Sequence, residues 1–566
     1  MAVSAIAEEG EAPLLGGAVV DYKGRPASRS NSGGWKSASF IIGVEVTERF
    51  ACTGISANLI SYLTGPLGQS TASAAENVNA WSGTMFLLPL LGAFVADSYL
   101  GRFRTIVIAS LLYILGLGLL TVSAVLTSLS SSESQITAKR MPISSPKVQV
   151  IFFFFSLYLV AIAQGGHKPC VQSFGADQFD SRDSKECKAK SSFFNWWYFG
   201  ISVGTLAALL ILSYIQDYLS WGLGFGIPCI VMAFALLIFL LGSRTYRFSI
   251  KRDEKNPFSR IAQVFINAAR NWRTTPSAKA IEEEARGSPT HNGSQQFKFL
   301  NKALLAPDGS EAGVRVSSIG EVEEAKAVLR LVPIWVTSLV YGIVFAQSST
   351  LFTKQGVTMD RSIGSNFEIP AASLQSFTTF TILLFIPIYD RIFVPIARAI
   401  TGKPSGITML QRMGTGMFIS AISMVIAALV ERKRLETAEE YGLVDKPEET
   451  VPMSVLWLVP QYLLFGIADV FTYVGLQEFF YDQVPNDLRS VGLALYLSVI
   501  GIGSFLSSFL ISVIQKATGE DGWFSDNLNR AHLDYFYWLL AALSAVALVA
   551  FLYFAKSYIY NRGSNI

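Results

Sequence analysis

Three ionisable residues, Glu45, Glu48 and Arg49, fall inside one apolar segment, Phe40 to Ile55. Each charge at bilayer depth costs about 2.5–3.5 kcal/mol on insertion scales, so such a cluster survives only where the charges meet partners or a water-filled path. Glu45 and Arg49 are spaced i,i+4, and Glu45 and Glu48 i,i+3, so all three share one helical face. They can pair, yet two acids against one base leave a carboxylate over. That spare carboxylate is a natural proton carrier. The unbalanced count favours proton coupling over a salt bridge that only locks helix packing.

Other polar groups recur inside apolar segments. Lys168 lies in the stretch Gln164 to Phe179, beside Pro169, at the end of the fourth apolar segment. It can neutralise the spare carboxylate or meet an anionic substrate. His167 next to it titrates near neutral pH when unperturbed, but a hydrogen bond to a neighbouring helix is the plainer reading. Asp469 sits midway along the tenth segment, with no partner nearby in sequence. A buried carboxylate is either protonated or paired. Lys168 in one half and Asp469 in the other could open and close a gate across a central cavity. Tyr341 and Gln347 on the seventh segment and Asn195 on the fifth supply aromatic and amide surface, some of it as cavity lining.

The elements that position these residues are transmembrane helices. The chain has 566 residues, of which 51% are hydrophobic and 15% charged, against about 25% charged in soluble proteins. It reads as an all-α polytopic membrane protein. A net charge of +3 argues against a nucleic-acid partner. Its four cysteines suggest no disulfide framework, and with the histidines they offer no metal-binding spacing. No phosphate-binding loop or nucleophile constellation stands out, so an enzyme is not expected, nor any cofactor beyond protons as the coupling ion.

Twelve apolar stretches reach the roughly 20 residues that a membrane-spanning helix needs. A polar stretch, 244–325, separates six of them from the other six. The expected layout is a cytosolic, disordered tail at 1–34, an N-terminal six-helix bundle at 35–243 and a cytosolic linker at 244–325. A C-terminal six-helix bundle at 326–556 and a cytosolic tail at 557–566 follow. Two bundles joined by a long linker are the layout of the major facilitator fold. Within the linker, 257–272 has apolar residues at helical spacing with arginines opposite. That pattern predicts an amphipathic helix on the lipid surface.

Lys and Arg concentrate in loops 2–3, 4–5 and 8–9, which places the termini and the linker in the cytosol. Loops 3–4 and 9–10 break the pattern with Lys139, Arg140, Arg432, Lys433 and Arg434. The two halves echo each other: Asp97 and Arg102 follow the second span as Asp390 and Arg391 follow the eighth. These pairs could latch neighbouring helices. Arg102-Phe-Arg-Thr105 also offers a basic-directed kinase a site at Thr105, where phosphate would disturb the Asp97 latch. An acidic stretch before Leu14-Leu15 looks like a dileucine sorting signal and favours the vacuolar membrane over the plasma membrane.

These segments together resemble the proton-coupled oligopeptide transporter family, in its plant nitrate/peptide transporter branch, over nearly the whole chain. Glu45-Val-Thr-Glu48-Arg49-Phe50 matches the family's ExxERF motif. The segments Asp97 to Arg102, Phe174 to Phe179 and Phe193 to Gly204 also match. The resemblance implies a twelve-helix major facilitator fold with alternating access. It implies proton symport in which Glu45, Glu48 and Arg49 couple, with Lys168 interacting with them or with substrate. Asp469 stands where the family usually has a glutamate. Two departures bear on substrate. Cys52 and Thr53 replace the tyrosines that line the peptide pocket, which counts against di- and tripeptides. Phe345 stands where nitrate-specialised members can carry a histidine donor, which removes that mode of nitrate binding. The expectation is a proton-coupled symporter of a small anionic solute, nitrate first, then a hormone or specialised metabolite, then peptides. A solute sensor signalling through the linker is the alternative from another class.

Overall fold

A computed structural model describes residues 19–29, 31–136, 146–180, 183–249, 257–272, 297–304, 317–364, 367–402, 407–484, 489–519, 522–558 and 560. The described residues are mostly helical. The long helices are α1 (Gly34–Ser56), α2 (Thr71–Val95), α3 (Arg102–Ile136), α4 (Pro146–Ala176), α5 (Ser184–Ala207) and α6 (Trp221–Gly242). They continue with α7 (Pro257–Arg270), α8 (Ile319–Phe345), α9 (Gln375–Ile388), α10 (Met409–Glu440), α11 (Val459–Asp482), α12 (Arg489–Thr518) and α13 (Leu533–Ser557). Helices suit a bilayer because they satisfy their backbone polar groups internally.

Eleven helical stretches among the described residues are long and apolar enough to cross a membrane. The twelfth expected span, α1, has the length, at 23 residues. It misses on composition, because Glu45, Glu48 and Arg49 dilute its apolar content.

Two compact units are present. The first comprises 1–69, 87–252 and 363–379, and the second 70–86, 253–362 and 380–566. The core of the first gathers Ile41 and Val44 of α1, Ile106 of α3, Phe174 of α4, Phe193 and Trp197 of α5 and Phe239 of α6. The core of the second gathers Ile334 and Tyr341 of α8, Met413 of α10, Phe479 of α11, Ile500 of α12 and Phe551 of α13. Small residues let the helices close. A Cβ on Gly204 of α5 would stand 2.5 Å from the Val46 carbonyl, so glycine there brings α5 against the charged turn of α1.

The echo between the halves has a backbone counterpart. A π-helical turn, Ala96–Leu100, follows α2, and another, Tyr389–Phe393, follows α9. Each carries the acid of its acid–arginine pair. Such turns widen the helix by one residue and re-aim the side chains beyond it.

Two expectations need correction. The N-terminal tail is structured from residue 19. Val19–Val20 pairs antiparallel with Phe248–Ser249 just after α6. Arg29 bonds Asp180 at 2.5 Å and Asp183 at 3.2 Å. Second, α7 does not keep its apolar face for lipid. Val264 and Ala268 are buried with Leu300, Ala303, Val322 and Ala325 of the second unit. Arg260 reaches Glu324 at 3.6 Å, and Asn267 donates to Ser317 at 3.0 Å.

The basic cluster that broke the loop pattern at the end of α10 is held by partners. Arg434 is fully buried on Glu431, at 2.7 and 2.9 Å, and also donates to Asn529 and the Leu528 carbonyl. Arg432 pairs with Glu436 at 3.0 Å, and Lys433 lies 4.1 Å from the Trp457 ring. Arg434's charge is spent inside the fold and says little about which side of the membrane the loop faces, whereas Arg432 and Lys433 stay exposed.

Candidate functional site

Within the first unit, the charged turn of α1 is packed against α4 and α5. Arg49 Nε lies 3.1 Å from Glu45 Oε1 and 3.3 Å from Glu48 Oε2. The contact with Glu45 has hydrogen-bond geometry; the one with Glu48 is an ion pair only. Glu45 is 3% exposed and Glu48 fully buried. The other Glu48 oxygen accepts from Gln164 Nε2 of α4 at 2.9 Å, and the same amide stands 3.1 Å from Cys52 Sγ. Lys168 lies one helical turn beyond Gln164, and its charge acts on Glu45, Glu48 and Arg49. The predicted quartet of two acids and two cations is therefore assembled in one place, with Cys52 at its edge. Thr53 is half-buried on the next position of α1.

The structure adds residues that spacing did not single out. Gln164 is the direct partner of Glu48. Tyr113 of α3 is fully buried, and Glu45, Glu48, Arg49 and Cys52 all act electrostatically on it. His167 is fully buried too, and neither ring nitrogen has a hydrogen-bond partner among the described residues, so the expected helix-bridging bond is not made.

In the second unit Asp469 of α11 is not alone. The Tyr341 hydroxyl of α8 donates to its Oδ1, and both side chains are buried. Phe345, one turn on, stacks on Tyr473 at 6.0 Å and tilts against Phe465 at 5.9 Å. Gln347 donates to Ser507 of α12 at 3.0 Å, and Asn79 of α2 donates to the same hydroxyl at 3.1 Å.

The latch residues resolve unevenly. Arg102 pairs with Asp177, inside the Phe174 to Phe179 motif at the end of α4. The side chains of Asp97, Asp390 and Asn195 lie outside the described residues, and Arg391 is exposed. Thr105 is 5% exposed and donates to the Gly101 carbonyl at 2.9 Å, so a kinase could reach it only after local opening.

Chemically, the α1–α4 cluster can hold or release a proton while its neighbours change the charge they present to a solute. Comparison with known proteins agrees with this class. The sequence profile of the POT family matches residues 103–524. Protein NRT1/PTR FAMILY 5.10 of Arabidopsis thaliana is 64% identical over 565 residues, covering 99% of each chain. Protein NRT1/PTR FAMILY 5.14 of the same plant is 58% identical over 97% of each. Among solved structures, an auto-inhibited POT family peptide transporter has a TM-score of 0.70 at 22% identity, covering 94% of this chain and 98% of its own. The chain belongs to the POT family of transporters, on its plant NRT1/PTR side.

Proposed function

We propose that the chain is a proton-coupled symporter of a small anionic solute, with nitrate the first candidate. The observation that carries this reading is the sharing of Arg49 between Glu45 and Glu48, in a buried cluster that also feels Lys168. With both acids ionised, two negative and two positive charges cancel. One proton on either carboxylate leaves the cluster with a net positive charge, which attracts an anion in a medium that screens little. Release of the anion then favours release of the proton. Binding of each ligand raises the affinity for the other, as linkage requires.

A peptide gains less from this cluster, because it brings its own ammonium. The replacement of the pocket tyrosines by Cys52 and Thr53 points the same way. Asp469, held by Tyr341, supplies a second titratable site in the other unit. Site of action is proposed as the vacuolar membrane, on the strength of the Leu14-Leu15 segment, which lies outside the described residues.

The test is uptake into proteoliposomes with an imposed pH gradient, offering labelled nitrate, a dipeptide and a hormone panel. Nitrate is expected to accumulate only with the gradient. Glu48→Gln is expected to abolish accumulation while leaving equilibrative exchange. Accumulation that survives Glu48→Gln would sink the coupling assignment. Movement of a larger organic acid with nitrate silent would keep coupling and drop nitrate.

A further inference from the structure

Three buried polar side chains surround the Glu45–Glu48–Arg49 cluster: Gln164, His167 and Tyr113. Gln164 spends its amide N–H on Glu48, and its Oε1 is left over; the Tyr113 hydroxyl is likewise without a hydrogen-bond partner among the described residues. His167 carries two such atoms at once, on a ring with no exposure. Leaving a buried donor or acceptor unmet costs about 1–3 kcal/mol. A histidine kept for packing alone would place its N–H on a carbonyl, and this one does not.

Its position is specific. Gln164, His167 and Lys168 are spaced i, i+3 and i+4, so they share one face of α4. That is the face whose first member bonds Glu48. The charged groups acting on His167 from the facing helix are Glu48 and Arg49 of α1. On its own helix the neighbour is Lys168. Pro169 follows, so the Gly165 carbonyl has no N–H to meet at that turn. The imidazole thus lies one turn beyond Gln164 toward the end of α4, which runs into the loop that the Lys/Arg pattern assigns to the cytosol.

We propose that His167 is a proton-relay residue serving the Glu48 carboxylate from the cytosolic side. The imidazole takes a proton on one ring nitrogen while keeping the N–H on the other. It takes that proton from Glu48 Oε2, the oxygen that makes no hydrogen bond among the described residues, and passes it on toward the cytosol. An O–H bond breaks and an N–H bond forms, and the imidazolium and carboxylate charges appear together until the proton leaves the ring. Arg49 then has both Glu45 and Glu48 to neutralise. The relay rests on the coupling reading above, but its test does not depend on which solute is carried.

The chain contains three histidines, His167, His291 and His532. Protein labelled with 15N-histidine in lipid therefore gives a small set of ring resonances, and His167→Gln identifies one of them. That resonance is expected to titrate, and to shift its midpoint in Glu48→Gln. In transport, His167→Gln is expected to slow gradient-driven accumulation of labelled nitrate by about a hundredfold, the low end of what a positioned proton acceptor contributes. Exchange without a gradient should stay near the parent rate. A His167 resonance that does not titrate wherever the protein stays folded, or that is indifferent to Glu48→Gln, overturns the relay. Equal loss of exchange and accumulation also overturns it, by making His167 structural. Accumulation that survives Glu48→Gln defeats the coupling reading instead, and so the two failures are distinct.

Discussion

At the scale of single residues, the most exacting contact outside the α1 cluster is Tyr341 on Asp469. A carboxylate buried in a helix bundle needs its donors, and removing one leaves an acceptor that water cannot reach. Tyr341→Phe is therefore expected to destabilise the protein by roughly 1–3 kcal/mol, read as a lowered Tm in detergent. Combining it with Asp469→Leu, which removes the stranded acceptor as well, should recover part of that loss. A double variant no more stable than Tyr341→Phe alone would count against the bond as the reason Asp469 is tolerated. Legibility at this scale depended on distance along the chain. Glu45, Glu48 and Arg49 could be read together because one helix fixes their geometry. Gln164 and Tyr113 could not, since only the packing of α1 with α3 and α4 makes them neighbours. Arg102 was read with Asp97, five residues before it. The π-helical turn and the break at Gly101 intervene, and Arg102 leaves on the first turn of α3 toward Asp177.

The N-terminal segment, the α4–α5 connection and the end of α6 close around Arg247. Its guanidinium is buried; it bonds Glu186 at 2.7 and 3.2 Å, the Ser32 carbonyl at 3.0 Å and the Gln178 carbonyl at 2.9 Å. Gly33 has φ +76°, and a Cβ there would stand 2.1 Å from Arg247 Nε. Gly33→Val is thus strained twice over and is expected to free residues 19–33, seen as faster limited proteolysis at that segment. The clasp also carries a pH dependence. Burial would raise the Glu186 carboxyl, but the hydrogen bond and charge of Arg247, with the Asp180 N–H, hold it below the usual glutamate value. A carboxyl lowered in the folded state contributes stability above its unfolded pKa, about 4.3, and loses it as pH falls through the folded value. Proteolysis at 19–33 should accelerate on acidification below about pH 4, and Glu186→Gln should flatten that response. A response unchanged in Glu186→Gln would place the titrating group elsewhere. None of this order was visible in a polar tail without an apolar run, because its partners lie more than 140 residues away in sequence. The amphipathic pattern of α7 was visible. Its partner was not, since an apolar stripe fits lipid and protein equally well.

For the molecule as a whole, the helical plan was the most legible layer, because a bilayer demands long apolar stretches and little else resembles them. Its one soft point, α1, is soft for the reason that matters: the charges that weaken its claim as a span are those that form the cluster. The direction of transport rests on the proposed vacuolar location: with the linker and termini facing the cytosol, as proposed, an acidic lumen would supply the protons and the proposed symporter would move solute from lumen to cytosol. Vacuoles isolated from cells expressing the chain and loaded with labelled nitrate should lose it faster when ATP acidifies the lumen. A protonophore should remove the difference, and so should Glu48→Gln. The same cells should retarget the protein to the plasma membrane when Leu14 and Leu15 are both changed to alanine. Acidification that accelerates loss equally in Glu48→Gln would remove Glu48 from the coupling. Unaltered location of the Leu14→Ala, Leu15→Ala variant would remove the vacuolar assignment while leaving the cluster's chemistry intact, since the charge balance around Arg49 does not depend on which membrane holds it.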